Sequence, residues 1–85
     1  MYKRNEVKGD MGMKEKIEQL TIQWNAYQDR IYDKVQNGTD GDDEWIHLIN
    51  KQSAIERQVA GMEGKKNYEV HAELEEKYRD ATGRK

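Results

Sequence analysis

Large apolar residues recur along the first half of the chain at Ile17, Leu20, Trp24, Tyr27 and Ile31, with spacings of 3, 4, 3 and 4. That rhythm puts all five on one stripe of an α-helix, whereas a half-buried strand would need every second residue. It returns in Trp45, Leu48, Gln52, Ile55, Val59 and Met62, spaced 3, 4, 3, 4 and 3. A narrower third stripe comes in Val70, Leu74, Tyr78 and Ala81. The pattern predicts an all-α chain: an antiparallel helical hairpin of two long helices, with a short third helix at the C-terminus.

Turn chemistry sets the boundaries. The run NGTDGDD after Gln36 carries two glycines and three aspartates and no residue worth burying. Asn37 and Gly38 tolerate the left-handed backbone that ends helices, and Asp42 is a natural N-cap for the second helix. Helix 1 is therefore expected over about 11–36, the turn over 37–42 and helix 2 over about 43–63. Gly61 and Gly64 mark the end of helix 2, and Asn67 is a candidate cap for helix 3 over about 67–81. These elements form one helical domain over 11–81. Residues 1–10 show no repeat and read as a flexible arm, with Asp10 capping helix 1, while residues 82–85 read as a disordered tail. Folding the two long helices about the turn sets Trp24 against Ile55, Leu20 against Val59, and Tyr27 against Gln52. The Tyr27 hydroxyl is then the expected partner of the Gln52 amide.

Composition narrows the function classes. Apolar residues make up 34% of the chain and charged residues 38%, against about 25% charged in an average domain. The 15 basic and 17 acidic residues nearly cancel, to a net charge of −2. Such a balance offers no broad attraction for phosphate backbones. Lys3, Arg4 and Lys8 with Lys65, Lys66, Arg84 and Lys85 are basic, but no helix here has the makeup of a recognition helix, so nucleic acid is not an expected partner. There is no cysteine to form a disulfide or a thiolate metal site. No run approaches the ~20 apolar residues of a membrane span, nor the 7 to 15 of a secretory signal. A cytoplasmic protein without cofactors is expected.

The acidic turn is the one place with a motif-like order of residues. From Asp33 to Glu44, Asp stands first, Asn37 fifth, Gly38 sixth and Glu44 twelfth, and at those positions the segment resembles a calcium-binding EF-hand loop. A cation would use Asp33, Asn37 and Glu44. Val35, however, replaces the third ligand, Asp40 stands where the family places an apolar residue, and no second loop exists. The reading adopted is a solvated turn with capping carboxylates. His47 and His71 are single imidazoles with no HExxH spacing. In size and helical-hairpin form the chain is similar to the small bacterial sporulation phosphatases that act on aspartyl phosphates. Their SQELD stretch is absent, the corresponding region reading INKQSAIERQV. A non-enzyme is expected, the alternative being a small phosphatase-like helical-hairpin enzyme or a calcium-responsive module centred on the acidic turn.

What remains is surface. Ile22, Tyr32, Ile46 and Ile49 lie off the main stripes and cannot all be buried inside one two-helix hairpin. Three turns of helix 3 span roughly 16 Å, too short to cover a first helix of roughly 36 Å. A homodimer forming a four-helix bundle would bury the remainder, the alternative being a monomeric three-helix bundle in which helix 3 takes the covering role. The expected function is that of a small non-enzymatic helical interaction or regulatory protein, an adaptor or inhibitor with a protein partner. Charged, cysteine-free chains of this size resemble accessory proteins of bacteria and their phages.

Overall fold

The computed structural model describes the backbone of residues 2–84 and the side chains of residues 12–84. These residues form three helices and no strand: α1 (Tyr2–Gln36), α2 (Asp43–Glu63) and α3 (Asn67–Thr82).

At 35 residues, α1 is about 52 Å long at 1.5 Å per residue. It starts at Tyr2, so the stretch read as a flexible arm is helical. Lys, Arg, Glu and Met favour the helix, no proline interrupts it, and Gly9 costs only about 1 kcal/mol. Asp10 consequently sits within the helix instead of capping it. The side chains of Lys3, Arg4, Lys8 and Asp10 lie outside the described residues, as does Lys85.

The helix ends obey local chemistry. Beyond Gln36, Asn37 N–H donates to the Asp33 carbonyl at 2.9 Å, Thr39 N–H donates to that of Lys34 at 2.8 Å, and Gly38 takes a φ of 74°. Asp42 has an extended backbone, and its Oδ1 accepts the Trp45 N–H at 2.8 Å. That bond satisfies one of the four amides a helix start leaves open. Gly64 closes α2 with a φ of 68°. At α3 the cap is Lys66 and not Asn67, which is the first helical residue. Glu69 reaches back instead, its Oε1 accepting the Lys66 N–H at 3.0 Å. Residues 82–84 of the expected disordered tail are also structured. Thr82 ends α3, Gly83 N–H donates to the Arg79 carbonyl at 2.7 Å, and Arg84 folds back onto α1.

All three helices contribute to one core. Leu20 and Trp24 from α1, Ile55, Val59 and Ala60 from α2, and Val70, Leu74 and Tyr78 from α3 form a continuous cluster, flanked by Ile17, Tyr27 and Met62. Trp24 is fully buried and Val70 nearly so. Ile31 and Leu48 are also buried. Ala81 of the third stripe is exposed.

Candidate functional site

The most elaborate polar cluster lies where the three helices meet. Glu56 of α2 is a buried carboxylate. Its Oε2 accepts the Trp24 indole N–H at 2.9 Å and lies 2.6 Å from His71 Nδ1. The other imidazole nitrogen, Nε2, is 3.1 Å from Glu75 Oε2, one helical turn further along α3. Trp24 meets both the His71 and Tyr78 rings edge-on, with centroids 6.4 and 6.3 Å away. A buried charge needs partners, and Glu56 has one from α1 and one from α3. Burial is the largest single influence on His71 and opposes its charge. The hydrogen bond and charge of Glu56, with those of Glu75, outweigh it and raise the imidazole pKa above the ordinary 6.5. With both nitrogens facing carboxylates, the ring makes two charge-assisted contacts when it is protonated.

A second cluster closes the far end of α3. The Tyr78 hydroxyl donates to Asp29 Oδ1 at 2.5 Å, and Arg84 Nη1 donates to the same oxygen at 3.0 Å. The Arg84 guanidinium lies over the Tyr32 ring, 4.6 Å from its centroid. Burial, then the hydrogen bond to Asp29, pushes the Tyr78 hydroxyl pKa up. Gln28, Tyr32, Glu75, Tyr78, Arg79 and Arg84 line a small cleft of about 130 Å³ here. Its two arginines are already matched by Asp29 and Glu75.

The acidic turn is occupied by the protein's own cations. Lys34 is buried, and its Nζ donates to Asp42 Oδ2 at 2.9 Å and to Glu44 Oε1 at 3.1 Å. Arg30 grips both Glu44 oxygens at 3.0 Å. The hydrogen bonds from Arg30 and then Lys34 pull the Glu44 carboxyl down to about 2. Of the EF-hand-like candidates, Glu44 is thus engaged in ion pairs, while Asp33 and Asn37 are exposed. Among the described residues, no group of three His, Cys, Asp or Glu side chains could hold a metal ion.

Gln52 does not pair with Tyr27. Its Nε2 donates to Gln28 Oε1 at 2.8 Å and to the Trp24 carbonyl at 3.2 Å. Gln28 is one residue beyond the expected partner and turns toward the same seam.

The four interface candidates differ in exposure. Ile22 is 66% exposed and Ile46 48%. Ile49 is half-buried, and Tyr32 is half-buried beneath Arg84. Ile22 and Ile17 form the apolar part of an open groove of about 360 Å³ between α1 and α3, completed by Thr21, Glu18 and Lys77. Sequence reasoning missed Glu56 and Asp29, because a charged residue near a helical stripe carries no periodic signal of its own, and it did not join Glu75 to His71 or Arg84 to Asp29. Among the described residues, no helix is long and apolar enough to cross a membrane. No protein-family model, curated protein or solved structure matches this chain.

Proposed function

We propose that this chain is a small non-enzymatic helical interaction protein. In this reading α1 and α2 form an antiparallel hairpin, α3 folds back along it, and the unit pairs with a second copy before engaging a protein partner as adaptor or inhibitor. The observation that carries the reading is the groove between α1 and α3, where Ile22 stands 66% exposed beside Ile17. Burying one such side chain stabilises an interface by roughly 1.5 to 3 kcal/mol. The groove also carries Glu18 and Lys77, opposite charges that a two-fold axis can set against each other.

Sedimentation equilibrium at micromolar concentration tests the pairing. The expected result is a species of twice the 10.1 kDa chain mass, reduced to the chain mass by Ile22→Glu with helicity retained. A folded wild-type chain that stays at 10.1 kDa over the whole concentration range would sink the homodimer.

A further inference from the structure

We propose that His71 is a pH-sensitive latch that fastens α3 to α2 and α1 through Glu56. His71 is on α3, its Nδ1 lies 2.6 Å from a buried carboxylate of α2, and its Nε2 lies 3.1 Å from Glu75 of its own helix. A neutral imidazole has one N–H and one lone pair, so it can donate to only one of these carboxylates and turns its lone pair toward the other. An imidazolium donates to both.

The groups facing the ring come from every helix packed against it. From α2 there is Glu56, from α3 Glu75, and from α1 the uncharged edge of Trp24. Glu56 also holds the indole N–H of Trp24 at the centre of the core, so a single carboxylate joins all three helices. When His71 loses its proton, Glu56 becomes a buried charge without a cationic partner. That state is costly. It is relieved when α3 opens and water reaches the carboxylate.

Linkage gives the direction. The folded pKa of His71 is raised above 6.5, so its stabilisation is fully present below about pH 6.5 and is lost as pH rises through the folded value. Neutral to mildly alkaline pH therefore loosens α3. The latch does not depend on the pairing proposed above, because none of its residues lines the groove that holds Ile22.

Hydrogen exchange of the full chain at about pH 5.5 and 8.5 tests the latch, with amide rates corrected for the intrinsic pH dependence and α3 compared with α2. The protection of α3 relative to α2 should fall several-fold at the higher pH in wild type, and change little in Glu56→Gln and His71→Gln. Nitrogen-15 spectra of the imidazole should show both nitrogens protonated at the lower pH. Equal relative protection at both pH values in wild type would overturn the latch, as would a fall of the same size in a folded His71→Gln variant. If that variant does not fold, Glu56→Gln decides the matter, since it removes the carboxylate through which His71 reaches α2. A loss of protection as large as in wild type would then count against the latch, and a smaller one supports it.

Discussion

Trp24 carries two burdens that its place in an apolar stripe does not reveal. Its ring fills the centre of the core at 0% exposure, and its N–H is one of two donors to buried Glu56. Truncation by Trp24→Ala should cost roughly 3 to 5 kcal/mol, the range for large aromatic deletions, read from urea unfolding followed by circular dichroism. Trp24→Phe separates the two roles, keeping most of the packing while removing the donor. It should cost about 1 to 3 kcal/mol, the penalty for leaving a buried acceptor short of a partner. A Phe variant as stable as wild type would show that His71 alone satisfies Glu56.

Among the elements, the turn between α1 and α2 does more than its sequence reading gives it. A polar, glycine-rich run suggests that any capping residue will do, and asparagine caps about as well as aspartate. Asp42, however, also holds the ammonium of buried Lys34 at 2.9 Å, a task an uncharged amide performs poorly. Asp42→Asn should therefore lower the thermal midpoint clearly more than Asp40→Asn, since Asp40 is exposed and has no ion-pair partner among the described residues. Equal midpoints would reduce Asp42 to a cap. Glu44 adds an acid-side signature. Its carboxyl, ordinarily at 4.5, is held at about 2, so its contribution is present above about pH 4.5 and is lost as pH falls toward 2. Urea midpoints across that interval should fall less steeply in Glu44→Gln than in wild type.

At the scale of the molecule, α3 completes the core. Val70, Leu74 and Tyr78 are 1 to 4% exposed and join Leu20 and Trp24 of α1 and Ile55, Val59 and Ala60 of α2 in one buried cluster. Leu74→Ala should cost roughly 2 to 5 kcal/mol, most of the reserve of a domain this small, and the loss should appear as reduced helicity at 37 °C. With 16 residues against the 35 of α1, α3 is too short to cover the whole first helix, as the stripe lengths predict. Arg84 nevertheless extends the cover past the end of α3 by lying over Tyr32, a contact that no stripe length anticipates.

Helicity, and the face that each helix buries, could be read from the order of amino acids alone. Both properties are local: a 3.6-residue period and a side chain's affinity for water act over a few turns, and Leu20, Trp24, Ile55, Val59, Val70 and Leu74 are buried accordingly. Cap positions were legible for the same reason at Asp42, where one carboxylate meets an amide three residues on. The pairing of polar residues was not. Trp24 meets Glu56 across 32 positions, Tyr78 meets Asp29 across 49, and Arg84 meets Asp29 across 55. Such partners depend on how far each helix is rotated about its axis and slid along its neighbour, and a periodic pattern leaves both free by about a residue. One residue is about 100° of helix rotation. That is enough to exchange Tyr27 for Gln28 as the partner of Gln52 and to turn Glu56 from the solvated face into the core, where its donors come from the two helices packed against it.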